Sequence, residues 1–244
     1  MNFFQSRMMT PALRRTETRL RALLSQELEQ VRGQDITGDA PNTNIRKMVE
    51  FTAAFHSRYE AWQQEALRQH QNPVRCGPGC GNCCRHYPLS IEFPEAVRLY
   101  MVLRNRDDFG RILEECYRRV QTYARLRDES PVRDGAEEEW EDELLHRYFA
   151  LELRCPMLDE LGNCSCHDAR PVTCRMYFSF TDPKYCSAEH LQTPANQSFH
   201  ICLPDVVEED FAELSELWGK GEWSESLYEV LLQLNAKEGE GWFA

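Results

Sequence analysis

The first part of the chain carries apolar residues at helical spacing. Between residues 10 and 32, four of them recur at steps of three and four: Leu20, Leu24, Leu28 and Val31. This spacing predicts an amphipathic helix that stops near a glycine at position 33. A second stripe, mostly aromatic, runs through residues 44–71 and contains Met48, Phe51, Phe55, Tyr59 and Trp62. We interpret that stripe as core packing because its members share one helix face.

The rest of the chain continues in the same pattern. Further helices are predicted from about Pro94, over about 107–127, and through the apolar positions of 144–149, 207–218 and 227–234. The fold class is therefore mainly α, a helical domain with irregular cysteine-rich loops.

Two stretches complete the predicted layout. Residues 128–143 are acidic, so we expect an irregular connection there whose negative charges would suit the N-terminus of the helix that follows. We expect a central domain at 73–205, onto whose core an N-terminal helical segment (1–72) and a C-terminal helical pair (206–244) pack.

Charge and hydropathy exclude several classes of function. The formal net charge of −12 argues against nucleic acid as a partner, since phosphate binding requires a basic surface. The local basic residues Arg14, Arg15, Arg19 and Arg21 are interpreted as one polar helix face. No run approaches the ~20 apolar residues of a membrane span, and the N-terminus lacks the pattern of a secretory signal. We therefore predict a cytoplasmic protein with no membrane partner.

The chain contains eleven cysteines. An odd count does not fit a fully paired disulfide framework, and the cytoplasm keeps thiols reduced. Metal binding is the better explanation, although an export route would restore the disulfide alternative.

The first cysteine cluster reads Cys76-Gly-Pro-Gly-Cys80-Gly-Asn-Cys83-Cys84. Its glycines and proline predict a tight loop rather than a helix interior. Such a loop can direct several soft thiolate ligands toward one point, which is typical of a zinc or iron–sulfur site.

The second cluster places Cys155, Cys164, Cys166 and Cys174 within twenty residues. The Gly-Asn pair before Cys164 is a turn signal, so we expect Cys155 and Cys164 to face each other across a reversal. A short helix is predicted to begin after Pro171 and to carry Cys174.

Together, the C-x-x-x-C-x-x-C-C loop and the later C-P-x-L…C-x-x-x-x-x-R-P-x-x-C-R segment resemble the YkgJ-type cysteine-cluster family of zinc- or iron-chelating proteins. The resemblance covers residues 76–90 and 155–178. It implies metal ions as partners and zinc or an iron–sulfur cluster as cofactor. Flagellin lysine methylases carry a similar cluster, but this chain lacks a glycine-rich methyl-donor loop.

The predicted metal ligands are Cys76, Cys80, Cys83, Cys84, Cys155, Cys164, Cys174, Cys186 and Cys202. Seven or more thiols exceed the four that one zinc requires, so two ions, or one cluster and one ion, fit better. Adjacent Cys83 and Cys84 are expected to point in different directions, serving two neighbouring centres or leaving one thiol spare.

Several nearby residues have less certain roles. Cys166 stands where the family usually has an apolar residue, and Cys116 is predicted to be a small buried hydrophobe. His86 and His167 adjoin the clusters, where hydrogen bonding is favoured over metal ligation.

Two arginines are predicted to tune the cofactor. Arg175 directly follows a ligand and Arg170 lies four residues before it. Four thiolates on a divalent ion leave a net charge of about −2, which nearby donors would offset. We therefore expect Arg170 and Arg175 to donate to sulfur.

The sequence thus predicts a cytoplasmic metal-binding protein whose two clusters converge on zinc ions or an iron–sulfur centre. An iron–sulfur-dependent protein-modifying enzyme and a metal storage or delivery protein remain alternatives. Catalytic residues, and any protein partner, are left open by the pattern.

Overall fold

The computed structural model describes residues 10–33, 41–130, 137–219 and 223–240. They form seven α-helices and two short strands. The helices are α1 (Pro11–Arg32), α2 (Pro41–Arg68), α3 (Phe93–Leu103), α4 (Phe109–Asp128), α5 (Glu137–Ala150), α6 (Asp205–Gly219) and α7 (Leu227–Gly239); the strands are β1 (Tyr177–Ser179) and β2 (Ser198–His200). The mainly α fold is confirmed. No helix within these ranges is long and apolar enough to cross a bilayer.

The two N-terminal helices form where the apolar stripes predict them. Thr10 caps α1, because its hydroxyl oxygen accepts a hydrogen bond from the backbone N–H of Leu13 at 3.2 Å. The predicted stripe residues of both helices are buried: Leu20, Leu24, Leu28, Val31, Met48, Phe51, Phe55, Tyr59 and Trp62. The aromatic stripe of α2 is therefore core, as predicted.

A continuous hydrophobic core joins the helices. Helix α1 packs on α2 and α6, α2 packs on α3, and α3 also contacts α6 and α7. Helix α4 lies against α5 and α7. The cysteine-bearing segments are the long connections between α2 and α3 and between α5 and α6. The helices thus provide a frame on which these irregular segments lie.

Two features differ from the predicted layout. Helix α5 begins at Glu137, inside the acidic stretch for which an irregular connection was expected. Acidic residues near a helix N-terminus interact favourably with the helix dipole, which explains a helical start without an apolar stripe. The antiparallel pair of β1 and β2, with Phe178 opposite Phe199, was not predicted because three-residue strands are too short for a period-two pattern to appear.

Candidate metal centre

The first cluster folds as a series of tight turns. The backbone N–H of Cys80 donates to the Gly77 carbonyl at 3.0 Å, and that of Cys84 donates to the Gly81 carbonyl at 3.2 Å. Gly79 has a φ of 81°, a left-handed conformation that favours glycine. A 3₁₀ turn at Cys83–Arg85 completes the loop. The glycine-rich sequence therefore gives the irregular, thiol-bearing loop that was predicted.

The second cluster begins with a chain reversal. Leu158 forms a β-bridge with Cys164, and Gly162 in the turn has a φ of 83°. The carboxylate of Asp159 accepts hydrogen bonds from the backbone N–H groups of Leu161 and Asn163 at 2.9 and 2.8 Å. Cys174 then lies on a 3₁₀ turn at Val172–Cys174. The predicted reversal and the predicted short helix after Pro171 are both confirmed, but Leu158 and not Cys155 lies opposite Cys164.

The two clusters pack directly against each other. The backbone N–H of Cys155 donates to the Cys84 carbonyl at 3.0 Å. At the turn, a Cβ on Gly162 would lie only 2.5 Å from the Gly79 carbonyl oxygen, so the two loops touch backbone to backbone. Stretches separated by about seventy residues of sequence are thus held together by close contacts that exclude side chains.

Thiols of both clusters line a first cavity of about 360 Å³. They are Cys83 and Cys84 from the first cluster and Cys155, Cys164, Cys166 and Cys174 from the second. Aromatic and aliphatic side chains of α3, α5 and α7, such as Leu99, Leu145 and Tyr228, form much of the remaining wall.

A second cavity, of about 320 Å³, lies on the other side of the first cluster. Its cysteines are Cys76, Cys80, Cys83 and Cys186, and its histidines are His86, His146 and His200. All eleven cysteines of the chain are free thiols. Both cavities therefore offer several soft donor atoms.

These donor sets agree with a comparison against known families. The model of the CxxCxxCC family, described as "Putative zinc- or iron-chelating domain", matches residues 75–197. The chain belongs to the CxxCxxCC family. The matched range contains both cysteine clusters, Cys116 and Cys186, whereas Cys202 lies beyond it. No curated protein and no solved structure gave a match to the chain.

In this CxxCxxCC protein, each of two neighbouring thiol pairs contains one cysteine with a lowered pKa. The Sγ atoms of Cys164 and Cys166 are 3.6 Å apart. A hydrogen bond from Cys166, helped by the charges of Arg170 and Arg175, lowers the pKa of Cys164 to about 6. In the second cavity a hydrogen bond from Cys76 likewise lowers the pKa of Cys80 to about 6. Each pair thus holds one thiolate near neutral pH, the form that binds metal.

Burial keeps other thiols protonated. It raises the pKa of Cys155 to about 12 and holds that of Cys174 well above its ordinary value. The pKa of Cys83 is also high, because its thiol shares a hydrogen bond with Cys84 and is buried. Cys84 lines only the first cavity whereas Cys83 lines both, and the expectation that their side chains point in different directions stays a prediction.

The thiols approach one another in pairs. Over the described ranges, no three side chains of His, Cys, Asp or Glu already converge closely enough to hold a metal ion. The donor set nonetheless fits zinc or iron, since soft thiolates are the preferred ligands of zinc and of iron–sulfur clusters. Side-chain rotations within each cavity would be needed to bring four sulfurs to one ion.

Arg175 acts on the backbone of the second cluster. Its buried guanidinium donates to the carbonyl oxygens of Arg170 at 2.5 Å and Asp168 at 2.7 Å, and it pairs with the Glu60 carboxylate on α2. Its hydrogen bonds thus run to oxygen atoms and to the ring of His56, and the expected donation to sulfur stays a prediction. The side chain fixes the Cys174 loop to α2 and influences Cys164 through space.

Arg170 lines the first cavity beside the thiols. Its side chain is hydrogen-bonded to the ring of His167 at 2.7 Å and to the His167 carbonyl at 3.3 Å. Its charge also lowers the pKa of Cys164, although the hydrogen bond from Cys166 is the larger cause. His167 itself is mainly exposed and lines neither described cavity. Arg170 is therefore placed to stabilise thiolate charge.

The three other cysteines differ in whether they line a cavity. Cys202 lines neither cavity and lies near the start of α6, where Glu208 and Asp205 are its charged neighbours. Cys116 is fully buried, as predicted. Cys166 is buried in the hydrophobic core, as its apolar family position indicated, and it also lines the first cavity.

Sequence analysis missed two histidines of the second cavity. His146 lies on α5 and His200 on β2, and both line that cavity. His146 stands alone in a segment without a metal motif, so nothing in the sequence marked it. His200 lies two residues before Cys202, and this proximity was the one available signal.

Proposed function

We propose that this protein binds metal through its two converging cysteine clusters, as zinc ions or as an iron–sulfur centre. The observation that carries the proposal is the first cavity, where six thiols from segments distant in sequence share one wall. Family membership supports the same conclusion, because the matched domain is a zinc- or iron-chelating one.

The proposed ligands follow from the two cavities. In the first, Cys84, Cys155, Cys164 and Cys174 are the predicted ligands, with Cys166 as an additional donor. In the second, the predicted ligands are Cys76, Cys80, Cys83 and Cys186. Cys202 has the weakest support because it lines neither cavity. The boundaries of the metal-binding domain at 73–205 stay a prediction.

The surrounding residues would prepare these sites for metal. Arg170 supplies positive charge beside thiolates, which reduces the cost of burying a negatively charged centre. Arg175 holds the Cys174 loop in place through its hydrogen bonds to backbone carbonyls. When bound, zinc would cross-link the two loops, and an iron–sulfur cluster would add electron transfer.

The proposed compartment is the cytoplasm. Eleven free thiols require reducing conditions to stay available as ligands. This placement is separable from metal binding and can be tested by fractionating cells that produce the protein.

Anaerobic purification followed by elemental analysis and visible spectroscopy tests the proposal. Zinc without visible absorption would identify the protein as a zinc-binding one. Iron with labile sulfide and broad absorption near ~400 nm would identify the iron–sulfur version. A protein that contains neither metal, and that takes up neither when reconstituted anaerobically, would overturn metal binding.

A further inference from the structure

The two cavities share a wall. Four side chains line both of them: Cys83, His86, Leu145 and Tyr177. The ring of His86 is stacked between Phe149 and Tyr177, with centroid distances of 4.3 and 5.2 Å. In the part of the chain that the structure describes, Cys83 is the one cysteine that borders both cavities.

Other thiols surround Cys83 on its two sides. Toward the first cavity it is hydrogen-bonded to Cys84 and interacts electrostatically with Cys174. Toward the second cavity it interacts electrostatically with Cys80, Cys76 and Cys186. Because its side chain lines both cavities, Cys83 borders both groups of thiols.

The number of donors makes Cys83 important to the second cavity. Without it, that cavity has three thiols, one fewer than the four ligands of a structural zinc site. Its hydrogen-bonded neighbour, Cys84, lines the first cavity, which holds four more thiols from the second cluster. A thiolate sulfur carries enough lone pairs to bind two ions at once, so Cys83 can complete the second set and also bind the ion of the first.

Charge favours sharing as well. Two separate four-thiolate sites with divalent ions would carry about −4 in total, whereas a shared thiolate reduces this to about −3. Burying less uncompensated charge costs less free energy. Sharing would also account for two adjacent cysteines, since Cys84 would bind metal in the first cavity while Cys83 would bind metal in both.

We propose that the second cavity is a separate thiolate metal centre and that Cys83 is a bridging ligand shared with the centre in the first cavity. This inference rests on the proposed metal-binding function. It assigns Cys76, Cys80 and Cys186 to one ion, and it assigns Cys84 with thiols of the second cluster to the other.

The test uses the full chain, stripped of metal without oxygen and loaded with ¹¹³Cd²⁺, a soft ion suited to thiolate ligands. We expect about two ions per chain, consistent with four ligands each. The two ¹¹³Cd resonances should show scalar coupling through the shared sulfur. The wild-type spectrum alone therefore tests the bridge, even where a variant fails to fold.

Variants then assign the ligands. Cys76→Ser should lose the second-cavity resonance and keep the other, and Cys155→Ser should do the reverse. Cys83→Ser should lose one ion and also shift the remaining resonance. Cys116→Ser, a buried thiol outside both cavities, is the matched control and should keep two coupled resonances.

The outcomes separate the two proposals. Two uncoupled resonances, of which Cys83→Ser removes one and leaves the other unmoved, would overturn the bridge while metal binding stands. Two uncoupled ions that both persist in Cys83→Ser would likewise overturn the bridge, because neither site would then depend on Cys83. A single bound ion would remove the second centre, and no bound cadmium would contradict the proposed function itself.

Discussion

Replacing Gly162 by alanine should disrupt the contact that holds the two cysteine clusters together. Gly162 has a φ of 83°, and its added Cβ would lie 2.5 Å from the carbonyl oxygen and 3.2 Å from the carbonyl carbon of Gly79. Those atoms belong to backbone, which cannot move aside as a flexible side chain would. The substitution must therefore separate the first loop from the turn of the second.

The expected cost combines two effects. A left-handed conformation costs an alanine roughly 1–2 kcal/mol. Relieving an overlap with backbone adds about 1–3 kcal/mol, as other overpacking substitutions do. We therefore expect Gly162→Ala to lower the free energy of unfolding by about 2–5 kcal/mol and to weaken metal binding.

Gly77→Ala provides a matched control in the first loop. Its added Cβ would meet no atom within 4 Å, so the free energy of unfolding should change by less than about 1 kcal/mol. Urea denaturation followed by circular dichroism measures both variants, and competition with a chelator measures metal affinity. Equal stability and equal metal affinity of Gly162→Ala and Gly77→Ala would refute the packing of the two clusters.

Three further predictions concern the ligands and their support. Cys80→Ser and Cys174→Ser should lower the metal content measured by elemental analysis, whereas Cys116→Ser should leave it unchanged; full loading of the first two would exclude them as ligands. Arg175→Met should lower the free energy of unfolding by about 1–3 kcal/mol, because it leaves part-buried carbonyl oxygens without their donor. At an exposed position, Arg46→Met should change the free energy of unfolding by less than about 1 kcal/mol. Equal effects of the two substitutions would contradict a stabilising role for the hydrogen bonds of Arg175. Because burial raises the pKa of Cys174, metal binding must release its proton, so affinity for zinc should rise from pH 6 to pH 8; a pH-independent affinity would contradict this.

The helices were predictable because their apolar residues repeat at steps of three and four. The buried stripes of α1 and α2 lie where the sequence placed them. The acidic run was expected to suit a helix N-terminus, but α5 begins earlier than expected because its first turns need no apolar stripe. The β1–β2 pair was missed because each strand has three residues and depends on a partner about twenty residues away.

The convergence of the clusters was predictable from the spacing of the cysteines, but their division between two cavities was not. Whether Cys83 borders one cavity or both depends on how the first loop packs against the second cluster and α5. The contacts of Arg175 were equally hidden, since its partner Glu60 is 115 residues away in sequence. Local patterns identify donor atoms, whereas tertiary packing decides which of them meet.

X-ray absorption spectroscopy at the edge of the metal found in the purified protein tests the central claim most directly. If thiols of both clusters hold the metal, its nearest shell should consist of sulfur, at about 2.3 Å for zinc. That shell should lose sulfur in Cys155→Ser as well as in Cys84→Ser, since these residues come from different clusters. A shell of oxygen and nitrogen atoms, or a sulfur shell that neither substitution changes, would contradict the account.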